Sequence, residues 1–170
     1  MKAGTGGVSM FALKLSRAAG ARVILSSSSD EKLAKIQERY PSPPILTINY
    51  NKTPNWDEEV MRLTNGTGVD FVLENGGAPS LVRSIKCARR GGVVSQVGYL
   101  GKQDPSHLAE LVPSIIDRRV ILRYAKPLTT HKAGAYDYIG VSMLAPNTIW
   151  KTSARRCHPT KHYLMISLIK

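Results

Sequence analysis

The chain has 170 residues and a formal net charge of +12, from 24 Lys and Arg against 12 Asp and Glu, and 42% of its residues are hydrophobic. This length is enough to bury a core without metal or disulfide support, and no apolar run approaches the ~20 residues that span a bilayer. The start MKAGTGG lacks the apolar stretch of a signal peptide. Cys87 and Cys157 have neither disulfide nor zinc-site spacing. We therefore expect a cytoplasmic globular protein without a membrane segment or a bound zinc ion, and with Cys87 as a buried thiol.

The positive charge is concentrated toward the C-terminal end. Residues 1–123 hold 17 Lys and Arg against 11 Asp and Glu, whereas residues 124–170 hold 7 against 1. Clustered basic residues can bind nucleic acid by releasing counterions from phosphates, but these are scattered, and no RNA-binding motif or zinc-finger spacing accompanies them. The sequence therefore disfavours a nucleic-acid partner and predicts that 124–170 is a basic, poorly ordered tail.

Apolar spacing predicts helices and strands that alternate along the chain. A capping box formed by Ser28 and Glu31 begins the second helix, which ends before Pro41. A later helix starts at Pro79 and is closed by the run 89–92. In chain order the prediction is helix 9–19, strand 21–25, the capped helix, strand 45–50, helix 55–64, strand 69–74, the Pro79 helix, strand 92–99, helix 104–116 and strand 119–123.

This alternation predicts the fold class. Strands separated by helices of about ten to fifteen residues require parallel crossover connections with helices on both faces of one sheet. The strands read as continuous apolar runs, which is typical of strands covered on both faces. The sequence therefore predicts an α/β protein with a doubly wound parallel sheet.

A glycine-rich loop opens the first helix. The run Gly4-Thr5-Gly6-Gly7-Val8-Ser9 fits G-x-G-x-x-[G/A/S]. In such a loop the glycines permit a tight turn and a close approach of backbone to a pyrophosphate, and the helix N-terminus presents free N–H groups to the phosphates. An ordinary glycine-rich turn is the alternative, but the helix that follows and the continued alternation favour a dinucleotide site. Its candidate residues are Gly4, Gly6, Gly7, Val8 and Ser9.

The end of the next strand indicates which dinucleotide binds. NAD-binding chains place an acidic residue here to bind the adenosine ribose, whereas this chain has four serines at 26–29. Serine hydroxyls such as those of Ser27 and Ser28 can donate to a 2′-phosphate, and Lys32 can neutralise its charge. The sequence therefore favours NADP(H) over NAD(H). The alternative is a polar turn in which Ser28 only caps the helix.

Other polar positions give weaker signals. The run 74–77 ends a strand on the carboxyl side of the sheet, where a structural loop and a ribose contact are equally compatible with the sequence. The run 97–99 ends the following strand and can line the nicotinamide. His107 stands alone on a predicted helix, and no Ser/His/Asp or Cys/His set is arguable. We therefore predict no catalytic residue and no metal ligand in this chain.

Taken together, these motifs resemble a known family. The segments GTGGVSMFALKLSRAAGARVILSSSSDEKL, INYNKTPNWDEEVMRLTNGTGVDFVLENGG and SLVRSIKCARRGGVVSQVGYLG occur in order between residues 4 and 123. They are similar to the cofactor-binding Rossmann domain of medium-chain dehydrogenases/reductases, in the zinc-type alcohol dehydrogenase-like and quinone oxidoreductase branch. Members transfer a hydride between NADPH and carbonyl or activated alkene substrates, or oxidise alcohols.

The resemblance implies a role for each candidate residue. Three loop residues would bind the pyrophosphate, three residues after the next strand would face the 2′-phosphate, one would lie near the adenosine end, and two would border the nicotinamide ribose. In that order these are Gly6, Gly7 and Val8; Ser27, Ser28 and Lys32; Tyr50; and Asn75 and Gly98.

The chain also departs from the family pattern. Family members have a catalytic domain ahead of this one, and the central first strand of the sheet is missing here along with it. We therefore expect a truncated chain with an NADP(H)-binding Rossmann domain over 1–123, incomplete at its first strand, that is inactive alone. Whether it is itself an enzyme stays open. The alternative function is a dimerisation module, in which the edge strand near 119–123 pairs with its twin or with a full-length relative.

Overall fold

The structure is a computed structural model that describes residues 7–98, 104–124 and 163–167. Its α-helices are α1 (Gly7–Ala18), α2 (Asp30–Arg39), α3 (Trp56–Leu63), α4 (Ala78–Lys86) and α5 (Leu111–Arg118), with a short 3-10 helix at Pro105–Leu108. Its strands are β1 (Arg22–Ser27), β2 (Leu46–Asn49), β3 (Val69–Glu74), β4 (Ala88–Gln96), β5 (Ile121–Tyr124) and β6 (Tyr163–Ser167).

All six strands form one parallel sheet in the order β2-β1-β6-β3-β4-β5. From β1 the chain moves outward to β2, and from β3 it moves outward in the other direction through β4 to β5. The predicted doubly wound parallel sheet is therefore confirmed, and the direction of winding reverses at β6.

The central strand β6 corrects one expectation. The sequence predicts a sheet that is incomplete at its first strand, but residues 163–167 occupy that position and pair with both β1 and β3. Without a strand there, β1 and β3 would each expose a row of unpaired backbone groups, and the apolar run Leu164, Met165 and Ile166 fills the position fully buried. Five residues of the predicted tail, 163–167, thus form the central strand of the sheet. The rest of the predicted tail lies outside the described residues, apart from Tyr124 at the end of β5.

The amino end of β6 is held by side chains of its neighbours. Asp70 of β3 accepts a hydrogen bond from the backbone N–H of Tyr163 at 2.9 Å and another from Arg89 Nε at 2.6 Å. The guanidinium of Arg22, from β1, lies 4.3 Å from the centre of the Tyr163 ring, within the range of a cation–π interaction. These contacts fix the register of β6 against both strands.

The core lies on both faces of the sheet. On one face α1 and α2 pack through residues such as Leu13 and Leu33 against Leu73 and Ile166. On the other face α3 and α4 pack against side chains that include Ile24, Val72, Val94 and Met165. Cys87 belongs to this second cluster and is fully buried, as predicted.

Two element boundaries in the structure differ from the predicted ones. The helix cap is Ser29 rather than Ser28, because β1 continues through the buried Ser27; Ser29 Oγ accepts from the N–H of Lys32 at 3.4 Å. The run 89–92, expected to close a helix, lies inside β4, where the register against β3 shifts. A side chain at Gly68 would lie 2.7 Å from the backbone nitrogen of Arg89, so a glycine is required where the bulged strand approaches.

Candidate functional site

Helix α1 begins at the carboxyl edge of the sheet. It ends at Ala18, and β1 starts at the opposite edge after a turn of three residues. Twelve helical residues rise about 18 Å, which returns Gly7 to the carboxyl edge, and α1 packs through Leu13 against the same cluster as Leu164 and Ile166 of β6. The first turn contains no acidic residue. Its free N–H groups therefore lie at the carboxyl edge near the central strand, and helix N-termini in general favour anions.

The first turn of α1 also contains an unsatisfied polar group. Ser9 is 2% exposed, and its Oγ has no hydrogen-bond partner among the described residues. A buried hydroxyl without a partner costs stability unless another group satisfies it. Gly7 is exposed and Val8 half-buried, while Gly4 and Gly6 lie outside the described residues. The described part of the predicted glycine loop, Gly7 to Ser9, therefore forms the first turn of α1.

The serine turn follows β1 on one side of β6. Ser28 is exposed, Lys32 is half-buried, and Ser27 is buried with its Oγ accepting from the N–H of Ser29 at 3.4 Å. Tyr50 lies beside them because its N–H donates to the carbonyl of Ser27 at 3.2 Å. The structure thus brings together the four residues predicted for the adenosine side, with Ser28 and Lys32 more exposed than Ser27.

A polar group after β2 was missed by the sequence reasoning. Asn49 Nδ2 donates to Asp30 Oδ1 at 2.7 Å, Lys52 Nζ lies 2.5 Å from Asp30 Oδ2, and Asn51 Nδ2 donates to the carbonyl of Ser28 at 3.4 Å. The hydrogen bonds from Lys52 and Asn49 lower the pKa of Asp30. Because neighbouring parallel strands end at the same edge, the run NYNK, which starts at the last residue of β2, was the signal that could have located this group.

Glu74 ends β3 on the other side of β6. Its side chain is fully buried, and Oε1 accepts from the N–H groups of Gly76 at 2.6 Å and Gly77 at 3.2 Å and from Ser80 Oγ at 2.6 Å. Oε2 accepts from Ser84 Oγ. Burial raises the pKa of Glu74, and the four hydrogen bonds oppose that rise. Sequence reasoning placed this residue at the site but had no signal for its burial.

The loops after β3 and β4 lie against each other. Asn75 Oδ1 occupies the space that a Cβ atom at Gly98 would fill, so the two residues pack closely. The N–H of Val97 donates to the carbonyl of Glu74 at 2.8 Å, and Gln96 Nε2 lies 3.5 Å from the carbonyl of Gly98. The two residues predicted for the nicotinamide side, Asn75 and Gly98, are therefore adjacent.

The serine turn (residues 27–29) and the Glu74 loop (Glu74 with residues 75–77) flank the place where the winding of the sheet reverses. The strands that carry them are separated by β6 alone, which puts them about 10 Å apart. In open α/β sheets, ligands bind at the carboxyl ends of the strands at this switch point. An elongated ligand can cross the crevice from one loop to the other, with its centre at the N-terminus of α1.

The described residues show no catalytic constellation. Across 7–98, 104–124 and 163–167, no three His, Cys, Asp or Glu side chains come together as a metal site. His107 is exposed. No helix in these ranges is both long enough and apolar enough to cross a bilayer.

Comparison with known proteins identifies the family. The family model described as zinc-binding dehydrogenase matches residues 7–131. The chain belongs to the zinc-binding dehydrogenase family. It is thereby a cofactor-binding domain of the medium-chain dehydrogenase/reductase superfamily, and the resemblance stated from the sequence is confirmed. This family consists of oxidoreductases that depend on a nicotinamide dinucleotide.

Individual relatives support this assignment. A zinc-type alcohol dehydrogenase-like protein of Schizosaccharomyces pombe is 40% identical over 121 residues, which are 71% of this chain and 34% of that protein. An NADP-dependent isopropanol dehydrogenase of Clostridium beijerinckii is 30% identical over 113 residues, 66% of this chain and 30% of that protein. A crystal structure of an alcohol dehydrogenase from Sinorhizobium meliloti matches with 29% identity and a TM-score of 0.60, covering 84% of this chain and 39% of its own.

The chain spans about a third of the length of these two curated relatives. The family name refers to zinc, but the described residues offer no ligand group that could hold it. The residues do fit a dinucleotide: a helix N-terminus without acidic residues, the unsatisfied hydroxyl of Ser9, and a glycine where a loop side chain packs closely.

Proposed function

We propose that this chain is the NADP(H)-binding domain of a medium-chain oxidoreductase. In that enzyme, a hydride passes between NADPH and a carbonyl, alkene or alcohol held by another part of the protein. The observation that carries the proposal is the position of the α1 N-terminus, at the carboxyl edge above β6, between the serine turn and the Glu74 loop. In this position, the α1 amides and the Ser9 hydroxyl bind the pyrophosphate.

The serine turn selects the dinucleotide. A 2′-phosphate carries close to two negative charges, and the exposed hydroxyl of Ser28 and the ammonium of Lys32 bind and neutralise it. The first turn of α2 contains two carboxylates, Asp30 and Glu31. Lys52 lies 2.5 Å from Asp30 and Lys35 lies 2.7 Å from Glu31, which reduces their repulsion of a phosphate. The relative from Clostridium beijerinckii, described as NADP-dependent, supports this preference.

Calorimetric titration of the full chain with NADPH and with NADH tests this assignment. We expect NADPH to bind more tightly, in the micromolar range or weaker. Lys32→Ala should weaken NADPH binding about tenfold, the effect of losing one charged hydrogen bond, and leave NADH binding unchanged. Lys35→Ala is the matched control, because Lys35 lies one turn further along α2 and pairs with Glu31 at 2.7 Å. Tighter binding of NADH, or an equal effect of both substitutions, would contradict the proposal.

We further propose that the 170-residue chain by itself catalyses little turnover. Hydride transfer requires a substrate held near attack geometry in a site that excludes water, and the described residues supply the dinucleotide side of such a site. NADPH oxidation, followed through the loss of absorbance of the reduced nicotinamide, should stay at the uncatalysed rate with quinones and aldehydes. Rapid oxidation of NADPH by the pure chain would refute this part.

A second candidate function is homodimerisation through β5. This strand pairs only with β4 among the described residues, and Ile121, Tyr124, Val112 and Ile116 expose large apolar side chains on β5 and the adjacent α5. Edge strands with exposed apolar residues are prone to pair with another chain. Light scattering after size exclusion should then give the mass of two chains, and Ile121→Asp should shift it to one. A single-chain mass for the unchanged protein would exclude this function.

A further inference from the structure

Glu74 is a buried acid at the edge of the crevice that the proposed function leaves without a role. Its carboxyl group is enclosed between the end of β3 and the start of α4, and its side chain is fully buried. Burying an ionisable group is costly unless hydrogen bonds compensate for lost water. Here four donors converge on it, two backbone N–H groups and two serine hydroxyls.

The donors belong to two different structural elements. Gly76 and Gly77 lie in the loop 75–77, whereas Ser80 and Ser84 lie one turn apart on α4. Gly77 is the N-cap of α4, has a φ of 86°, and carries no side chain to accept from the loop or the helix. One carboxyl group therefore joins the backbone of the loop to two hydroxyl groups of the helix.

The loop held in this way carries a residue predicted for the ligand. Asn75 lies between Glu74 and Gly76, and its Oδ1 occupies the space beside Gly98 that a Cβ atom would fill. The backbone of the same region is joined to β4, since the N–H of Val97 donates to the carbonyl of Glu74 at 2.8 Å. Any change in the loop 75–77 would therefore move Asn75 relative to Gly98.

We propose that Glu74 is a positioning residue: its buried carboxyl group holds the loop 75–77 in the shape that receives the nicotinamide ribose, without touching the dinucleotide. This inference rests on the proposed dinucleotide function and adds to it the group that shapes its nicotinamide side. The four donors to Glu74 all come from its own side of β6, so the adenosine side, at the serine turn, is independent of it.

The test uses the full chain and two ligands. NADPH reaches both sides of the crevice, whereas 2′,5′-ADP carries only the adenosine half. In Glu74→Gln, the amide replaces one acceptor oxygen by a donor while the side-chain size is kept. We expect calorimetry to show NADPH binding weakened about tenfold and 2′,5′-ADP binding changed by less than about twofold.

Asp57→Asn is the matched control. Asp57 is also a buried carboxylate, 8% exposed, and its ion pair with Arg83 at 2.6 Å joins α3 to α4 rather than to the loop 75–77. If the role of Glu74 is purely structural, each substitution should weaken the binding of NADPH and of 2′,5′-ADP by the same factor. That result would overturn the inference. If Glu74→Gln does not fold, Ser84→Ala, which removes one donor to the same carboxyl group, gives the same comparison.

The outcomes separate the inference from the proposed function. If the unchanged chain binds neither NADPH nor 2′,5′-ADP, the dinucleotide function is wrong, and the role of Glu74 is wrong with it. If both ligands bind and Glu74→Gln fails to discriminate between them, the dinucleotide function stands and only the positioning role is overturned.

Discussion

Two loops at the same edge of the sheet, one on each side of the central strand, are held in opposite ways. The serine turn after β1 is exposed and held by neutral hydroxyl and amide groups, with its charged pair, Asp30 and Lys52, open to solvent. The loop after β3 is buried and held by one carboxyl group that accepts four hydrogen bonds.

The difference shows how one fold can assign ligand selection to one loop and ligand orientation to another. An exposed turn contributes little to folding, so its residues can vary with the group that they recognise. A buried polar network contributes to folding only when all of its members are satisfied, so it tolerates little change. We therefore expect cofactor preference to be set in the serine turn, and ligand geometry to be set in the Glu74 loop.

The largest expected effect on stability comes from β6, the strand that pairs with both β1 and β3. Met165 in β6 is fully buried and lies 3.6 Å from the sulfur of Cys87. Met165→Asp places a charge in the core, which costs several kcal/mol, comparable to the ~5–15 kcal/mol that stabilises a typical domain. Urea unfolding followed by circular dichroism should then show no cooperative transition. Ile121→Asp, on a strand residue 49% exposed, is the control; equal stability of both variants would mean that β6 does not support the loops.

The next largest expected effect is a difference in stability between side-chain removal in the Glu74 loop and in the serine turn. Glu74→Ala removes the acceptor of four buried donors and should lower the free energy of unfolding by about 3 kcal/mol or more. Ser28→Ala, in the exposed turn, should change it by less than about 0.5 kcal/mol. Urea titrations at one pH provide both values. A similar loss for the two variants would break the proposed contrast between a variable turn and a fixed loop.

The smallest expected effect is on the pH dependence of stability, which should have opposite signs for Glu74 and Asp30. Burial raises the pKa of Glu74 above its ordinary 4.5, so its contribution to stability is complete below 4.5 and is lost as the pH rises through the folded-state pKa. The hydrogen bonds from Lys52 and Asn49 lower the pKa of Asp30 below its ordinary 3.8, so its contribution is present above 3.8 and is lost as the pH falls through the folded-state pKa.

Unfolding free energies measured across this range compare the two groups. The stability advantage of the unchanged chain over Glu74→Gln should shrink as the pH rises, whereas its advantage over Asp30→Asn should shrink as the pH falls. If both advantages change in the same direction, Glu74 and Asp30 do not differ in the way that their burial implies.

Much of the fold could be predicted because its signals are local. The strand 69–74 is observed with the predicted bounds, since an apolar run ended by Glu74 and a glycine pair is enough to define it. The cap at Ser29 was misplaced by one residue, because four successive serines are equivalent until the burial of Ser27 decides where β1 ends. The bulge at 89–92 was missed, because an Arg-Arg-Gly-Gly run is as typical of a helix end as of a distorted strand.

Sequence alone determined the alternation of helices and strands, the family, and candidate side chains at the carboxyl edge such as Ser28 and Asn75. These follow from spacing along the chain, which needs no knowledge of distant contacts. Tertiary structure alone decided that residues 163–167 complete the sheet, since a short apolar strand fits any covered parallel position and only the unpaired edges of β1 and β3 select it. It also decided the state of Glu74. The same carboxyl group on an exposed turn would interact with water, whereas here the closing of α4 over β3 leaves it only the loop and the helix to bind.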